Sequence, residues 1–169
     1  MILPIVKYGG EPLHQPADDL VDITGEIAAL VRDMVETMYA APGVGLAAPQ
    51  VGVPLRLFVV DITVGRDPSG LITLINPRFV AREGMQLEEE GCLSVPGFNA
   101  TVARPEKVVI RGLDLQGRER IYEGEGLLAR AFQHEMDHLD GKVFVDRLRA
   151  IKRSLILRRI RKQARAGRW

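Results

Sequence analysis

The chain has 169 residues and a formal net charge of +1; 46% of its residues are hydrophobic and 27% are charged. These proportions are ordinary for a globular protein, and the length suffices for one domain with a hydrophobic core, so we expect a single domain over residues 1–169. No stretch is apolar over a membrane-spanning length, and the first residues lack the layout of a signal peptide. We therefore expect no membrane partner.

Apolar residues at helical spacing predict a first helix over residues 24–39. Its apolar stripe consists of Ile27, Leu30, Val31, Met34 and Met38. Strand patterns follow at residues 55–62, 71–76, 79–87, 107–115 and 118–122. The last two strands are predicted to form a hairpin that turns at Gln116–Gly117.

A second helix is predicted over residues 126–139, with Gly141 placed to end it. A short strand at 143–146 and a C-terminal helix at about 147–166 complete the predicted elements. Because strands cluster ahead of the second helix, the predicted fold class is α+β. Mixed or antiparallel sheets would surround that helix, with one further helix near each end of the chain.

Residues 43–50 read Gly-Val-Gly-Leu-Ala-Ala-Pro-Gln. Two glycines followed by small residues suit a backbone that another group approaches closely. A phosphate-binding loop is disfavoured because the segment has no Gly-Lys-Ser/Thr and no preceding strand. The plain alternative is the turn that ends the first helix, and it leaves Gln50 without an obvious structural assignment.

Cys92 is the only cysteine, so the chain has no intramolecular disulfide, which fits a reducing compartment. A glycine precedes it and Pro96-Gly97 follows it, which predicts a loop able to present a thiolate. The alternative is a small buried hydrophobic residue. The acidic triplet at 88–90 disfavours a thiolate unless a cation lies close by, and a divalent metal ion would supply that cation.

Residues 133–138 read Gln-His-Glu-Met-Asp-His. On the predicted helix, His134 and His138 project from one face and are able to bind the same metal ion. Glu135 lies beside the first histidine, where its carboxylate would reach a metal-bound water without being a ligand. The pattern also arises by chance as a solvated surface pair, so it requires context.

A hydrolytic site of this kind needs a third protein ligand and an open position. No histidine follows His138, and His14 lies in a proline-rich stretch without ligand types nearby, which predicts a surface position. Asp140 and Asp146 remain possible ligands, although neither has the spacing found in zinc proteases. Cys92 is the more attractive candidate.

The segments 43–50, 90–94 and 133–139 together resemble the signature motifs of the peptide deformylase family, in the same order and at similar separations. The Arg104-Pro105 segment, the hairpin after it and the chain length are also similar. The resemblance implies a bacterial-type member with a C-terminal helix. The implied activity is a metal-dependent hydrolysis that removes the formyl group from the N-terminal formyl-methionine of newly made proteins and releases formate.

The resemblance further implies one divalent metal ion per chain, held by Cys92, His134 and His138. The family is generally regarded as using Fe²⁺, while the ligand types by themselves also suit Zn²⁺, Ni²⁺ or Co²⁺. Glu135 would act as general base and then as general acid. The side-chain amide of Gln50 and the backbone N–H of Leu93 would hydrogen-bond the oxyanion.

Groups around this core are expected to brace it and to bind substrate. Glu90 and Arg104 are candidates for an ion pair that orients the cysteine segment, with two separate surface charges as the alternative. An extended substrate would pair with backbone groups of Val44, Gly45, Pro96 and Gly97. Val44, Leu127 and Ala131 are candidates for the methionine pocket, or are ordinary core residues.

Charge is unevenly distributed, because Arg147–Trp169 contains ten basic residues and no acidic one. Leu148, Ile151 and Leu155 predict an amphipathic helix docked on the body of the protein. Its basic face would contact ribosomal RNA, or would simply be a solvated face balancing an acidic remainder. We expect no DNA partner.

Two other classes of protein remain as alternatives. A zincin-like metallopeptidase would cleave internal peptide bonds and would not need Cys92. A structural metal or RNA-binding module would have a closed four-ligand site and no role for Glu135. The expected location is the bacterial cytoplasm, where the nascent chain is the substrate partner.

Overall fold

The computed structural model describes residues 1–169, and it has an α+β fold, as predicted. The helices are α1 (Gly25–Ala40), α2 (Gly126–Leu139) and α3 (Ala150–Arg165). The strands are β1 (Gly45–Ala47), β2 (Leu57–Val60), β3 (Ile72–Glu83), β4 (Gln86–Cys92), β5 (Val95–Arg104), β6 (Lys107–Leu113) and β7 (Glu119–Glu125). Short 3₁₀ helices span Glu11–His14, Ala48–Val51 and Phe144–Arg147. No helix is both long enough and apolar enough to cross a membrane.

Both sheets are antiparallel. Five strands pair in the order β1-β2-β3-β6-β7, and β4 pairs with β5. Strand β2 is buried on both faces, because Phe58 and Val60 pack in the α2 cluster while Leu57 and Val59 pack in the α1 cluster. The five-stranded sheet therefore lies between α1 and α2, and successive side chains of β2 point to opposite faces.

Helix α2 is buried from Ala129 to Leu139. Its apolar side contributes Phe132, Met136 and Leu139 to the core against the sheet. The opposite side of the helix is polar, and its residues are buried as well. The helix ends as predicted: Gly141 has φ +77°, and a Cβ there would lie 2.7 Å from the backbone of Gln15. The N-terminal segment closes over this end of the helix, and only glycine fits the contact.

Helix α3 packs on the β4–β5 hairpin and on the last 3₁₀ helix, and of the three residues predicted to dock it only Leu148 contacts this cluster. Ile156 and Ile160 are buried in this cluster, whereas Ile151 and Leu155 are 80% and 53% exposed. The helix begins at Ala150 rather than 147, so Leu148 precedes it in extended backbone. Residues 148, 151 and 155 therefore do not share one helical face.

Several strand boundaries differ from the prediction. The predicted strands at 71–76 and 79–87 are continuous in one strand, β3, as far as Glu83, because the chain passes through a bulge at Asn76-Pro77, and residues 86–87 begin β4. The side chain of Asn76 accepts a hydrogen bond from Leu20 N and donates one to Leu20 O, which holds the bulge. The turn that ends β3 lies at Gly84, with φ +75°.

Two further predictions are wrong. The predicted strand at 143–146 is a 3₁₀ helix, because Asp146 caps it: its carboxylate accepts a hydrogen bond from Val143 N at 2.9 Å. The predicted loop at Cys92 is the end of strand β4, where Cys92 pairs with Val95 across a tight turn. The strand extends this far because residues 86–91 pair continuously with β5. The first helix and the hairpin lie within a few residues of their predicted positions, and α2 has its predicted bounds.

Candidate metal centre

Cys92, His134 and His138 form one cluster in which the candidate ligand atoms all lie within 4.8 Å of one another. The two histidines lie one turn apart on the enclosed polar side of α2, and the tight turn after β4 brings the cysteine to them. Cys92 Sγ is 3.3 Å from His138 Nε2. Ligands of one tetrahedral ion at 2.0–2.3 Å are separated by roughly 3.3–3.8 Å. One thiolate and two imidazoles in this arrangement therefore fit a single divalent ion.

Glu90 fixes the orientation of His134. Its carboxylate lies 2.6 Å from Nδ1 of His134, so Nδ1 donates to Glu90 and Nε2 is the ring nitrogen left for a metal. Burial by itself would raise the pKa of Glu90, but hydrogen bonds from Arg104 and His134 outweigh burial and hold that pKa well below its usual range. A carboxylate that stays ionised in this way keeps the histidine in its ligand tautomer.

Arg104 links Glu90 to Asp137, which lies three residues after His134 on the same face of α2. Its guanidinium donates two hydrogen bonds of 2.7 Å to Glu90 and one of 3.0 Å to Asp137. Both Glu90 and Arg104 are buried, so they are an internal ion pair and not two separate surface charges. Arg147 binds the same Asp137 through two further hydrogen bonds of 3.0 and 2.6 Å. A chain of ion pairs in which acidic and basic side chains alternate therefore connects the β4–β5 hairpin to the end of α2.

His138 is completely buried, and burial together with the neighbouring His134 lowers its pKa well below the usual value. A neutral imidazole has the lone pair that a metal ligand requires. Its Nδ1 has no hydrogen-bond partner within the protein.

Glu135 lies beside the cluster without touching a donor. Its side-chain atom Oε1 is buried and has no hydrogen-bond partner, and burial raises the pKa of this carboxyl to about 7. Strand β1 passes so close that a Cβ on Gly45 would lie 2.5 Å from Oε2 of Glu135. The close approach expected at the glycine-rich segment is therefore to this carboxylate. A buried carboxyl with a free oxygen and a pKa near neutrality suits proton transfer.

Gln50 and Leu93 have N–H donors close to Cys92. Gln50 lies in the 3₁₀ helix after β1, and its Nε2 is 3.6 Å from Cys92 Sγ. The backbone N–H of Leu93, in the turn between β4 and β5, has no acceptor within the chain. Two donors near the ligand cluster are an arrangement able to meet a developing negative charge.

A cavity of about 670 Å³ opens beside these groups. Every residue predicted to bind substrate lines it: Val44, Gly45, Pro96, Gly97, Leu127 and Ala131. Pro96 and Gly97 belong to strand β5, not to a separate turn. Leu127 is 53% exposed, so it lies at the mouth of the cavity rather than in the core.

The remaining ligand candidates lie elsewhere. Asp140 pairs with Arg56 at 3.1 Å, and Asp146 caps the last 3₁₀ helix. His14 is exposed, as predicted, and accepts a hydrogen bond from Gly9 N.

Sequence reasoning missed three buried groups around the centre. Arg130 lines the cavity and hydrogen-bonds Glu90, Gln86 and the carbonyl of Val102. It lies four residues before His134, and this helical spacing is the signal that would have placed it on the same face. Asp137, three residues after His134, has the same signal, and Ser94 lies inside the 90–94 motif, but no role was predicted for either because their partners come from distant segments.

Comparison with known proteins gives a consistent result. A family model for polypeptide deformylase matches residues 2–154. A peptide deformylase of Acidobacterium capsulatum is 53% identical, with 100% of this chain and 99% of the relative covered. The crystal structure of a peptide deformylase from Legionella pneumophila matches with a TM-score of 0.92 and 44% identity, covering 99% of this chain and 98% of that one. The peptide deformylase from Synechococcus elongatus, solved in complex with actinonin, matches with a TM-score of 0.88 and 40% identity over 93% and 86% of the two chains.

Proposed function

The chain belongs to the peptide deformylase family, and we propose which of its residues carry out the reaction of that family. The protein is a hydrolase that removes the formyl group from N-terminal formyl-methionine and releases formate. The observation that carries the residue assignment is the Cys92–His134–His138 cluster beside Glu135, whose buried oxygen has no partner within the protein.

The proposed metal ligands are Cys92, His134 and His138. When bound there, a divalent ion supplies Lewis-acid activation of water and of the formyl carbonyl. The ligand set suits Fe²⁺, and we propose iron as the physiological metal, with Zn²⁺, Ni²⁺ and Co²⁺ as substitutes that the same ligands accept.

Glu135 is the proposed general base and acid. Its carboxylate takes a proton from the attacking water and returns it to the amine nitrogen of methionine, which must leave protonated. The pKa near 7 that burial produces is close to the optimum for both transfers, and the free oxygen leaves room for water.

The proposed oxyanion donors are the side-chain amide of Gln50 and the backbone N–H of Leu93. Attack on the formyl carbon places a negative charge on its oxygen. Two neutral donors that already face this region stabilise that charge without reorganising, and one such donor is typically worth about 3–4 kcal/mol.

The proposed substrate groove lies along the cavity. An extended N-terminus would pair with backbone groups of Val44 and Gly45 on one side and of Pro96 and Gly97 on the other. Val44, Leu127 and Ala131 would surround the methionine side chain. Backbone pairing accounts for tolerance of many sequences after methionine.

Metal-loaded protein should release formate from formyl-methionyl peptides without cleaving their internal bonds. We expect a higher kcat/KM for the Fe²⁺ form than for the Zn²⁺ form under anaerobic conditions, and loss of the Fe²⁺ form in air, because iron and the Cys92 thiolate are both oxidisable. Formate and peptide fragments are measured in the same reaction. Cleavage of internal bonds without formate would indicate a zincin-like peptidase, and an equally active Zn²⁺ form would overturn the iron assignment.

We propose further that the whole chain acts as one catalytic domain in the bacterial cytoplasm. Nascent formylated chains are made there, and a single unpaired cysteine suits a reducing compartment. Helix α3 is the proposed ribosome contact, because its two buried residues, Ile156 and Ile160, leave its basic side chains exposed. Phosphate attraction requires only such exposed Lys and Arg side chains.

Charge reversal on α3 tests this contact. The combined substitution of Arg158, Lys162 and Arg165 by Glu keeps the buried isoleucines and should weaken ribosome binding by roughly tenfold or more at low salt. The matched control reverses the same number of exposed charges elsewhere, at Arg32, Arg66 and Arg118. Sedimentation with ribosomes measures both variants. Equal binding by the two would argue against α3 as the contact.

A further inference from the structure

Ser94 closes the Glu-Gly-Cys-Leu-Ser motif, and neither metal binding nor proton transfer involves its hydroxyl. The side chain is nonetheless completely buried, next to Gln50, which is 1% exposed. Gln50 Nε2 donates a hydrogen bond of 3.1 Å to Ser94 Oγ. These two buried polar side chains come from segments 44 residues apart, so their contact is a tertiary one.

The amide of Gln50 is held at both ends. Its Oε1 accepts a hydrogen bond of 3.0 Å from the backbone N–H of Ala47, which determines that Nε2 faces the centre. One Nε2 hydrogen is directed to Ser94 Oγ, and the other faces Cys92 Sγ at 3.6 Å. Ser94 thus accepts a hydrogen bond from one of the two Nε2 hydrogens, and this contact orients the second hydrogen toward the metal ligands.

The backbones of the same two residues are tied together through the N-terminal segment. Val6 N–H donates to Gln50 O at 2.7 Å, and Tyr8 N–H donates to Ser94 O at 2.8 Å. Residues 6 and 8 of the N-terminal segment therefore bridge the backbones of Gln50 and Ser94. The distance between the 3₁₀ helix that carries Gln50 and the turn that carries Ser94 is therefore set independently of the side chains.

We propose that Ser94 is a positioning residue that holds the Gln50 amide in its donating orientation for the formyl oxyanion. This inference rests on the proposed role of Gln50. Without the hydroxyl, the amide keeps its hydrogen bond from Ala47 and the longer contact with Cys92 Sγ, and its rotation about the last side-chain bond is less restricted. The N–H that faces Cys92 Sγ is then less often aligned with the formyl oxygen, and stabilisation of the oxyanion depends on donors that are aligned before the reaction.

A double-mutant cycle tests the proposal. Ser94→Ala should lower kcat for a formyl-methionyl peptide about tenfold, the effect of one hydrogen bond, with KM and metal content unchanged. Gln50→Ala should lower kcat by about 10²–10³-fold. Adding Ser94→Ala to Gln50→Ala should change kcat by less than about twofold, because a residue that acts through Gln50 has nothing left to position. Ser94→Thr restores the hydroxyl and should recover most of the activity, while the exposed Ser154→Ala is the matched control.

A spectroscopic measurement keeps the test independent of turnover and of how well the variants fold. In the Zn²⁺-loaded wild-type protein, the two Nε2 protons of Gln50 should give separate NMR signals that exchange slowly with solvent. Rapid exchange or averaging of these signals in the wild type would overturn the proposal. In Ser94→Ala the two signals should move together or exchange faster.

The outcomes separate this inference from the function on which it rests. Full activity in Gln50→Ala would reject both the assignment of Gln50 as an oxyanion donor and the positioning role of Ser94. A large loss in Gln50→Ala with none in Ser94→Ala would leave the donor and reject the positioning role. If Ser94→Ala lowered kcat equally in the wild type and in Gln50→Ala, Ser94 would act through a group other than Gln50. That result would also reject the positioning role.

Discussion

Substitution of Glu135 by Gln should lower kcat for deformylation by about 10³-fold while the metal stays bound. Gln has nearly the same shape but accepts no proton from water at neutral pH, and general acid–base groups contribute typically about 10²–10⁴-fold. The candidate metal ligands are Cys92, His134 and His138 and do not include Glu135, so the metal content should not fall. Formate release and metal content are measured on the same sample.

The same substitution should stabilise the metal-free protein. The Glu135 carboxylate is buried with one oxygen unpaired, which is unfavourable for a charged group. A neutral amide removes that cost, so we expect a higher free energy of unfolding together with lower activity. Glu88→Gln is the matched control, because Glu88 lies exposed on strand β4 and outside the cavity. An active Glu135→Gln enzyme would reject the assigned base.

Substitution of Cys92 by Ala should weaken metal binding by more than about 100-fold and abolish activity in parallel. Loss of a direct ligand exceeds the 10–100-fold that loss of an outer hydrogen bond typically costs. His138→Ala should behave in the same way, and His14→Ala is the matched control because that histidine is exposed and distant from the cluster. Metal affinity is measured by competition with a chelator.

The cysteine variant also separates the deformylase centre from a zincin-like one. A zincin would not use Cys92, and Asp140 and Asp146 are engaged by Arg56 and by the backbone of Val143. Full metal content and full activity in Cys92→Ala would therefore contradict the proposed ligand set.

Local patterns identified most of what lies within a single element. The apolar spacing predicted α2 to the residue, and the histidine spacing placed two imidazoles on one face of it. The wrong predictions concern local sequence patterns that are compatible with two different structures. The strands predicted at 71–76 and 79–87 are continuous through a bulge at Asn76-Pro77. The apolar residues 148, 151 and 155 were predicted to share one helical face, but Leu148 lies outside α3.

Of the surroundings of the centre, only the Glu90–Arg104 pair was predicted from the sequence. Glu90 receives hydrogen bonds from Arg104, Arg130 and His134, which lie 14, 40 and 44 residues away. Such contacts depend on how the β4–β5 hairpin packs against α2. A charged residue destined for a buried network has the same local sequence pattern as one on the surface.

The sequence by itself therefore determined the chemistry available: two histidines and a glutamate on one turn, one cysteine, and motifs that resemble a known family. Only the tertiary structure decided how these groups combine. It brings Cys92 to within 3.3 Å of a histidine 46 residues away and sets Gln50 against Ser94. The physical reason is the sequence distance between the interacting residues. Helical periodicity relates residues that are a few positions apart, whereas packing between the sheets and α2 brings together ligands and donors from distant segments.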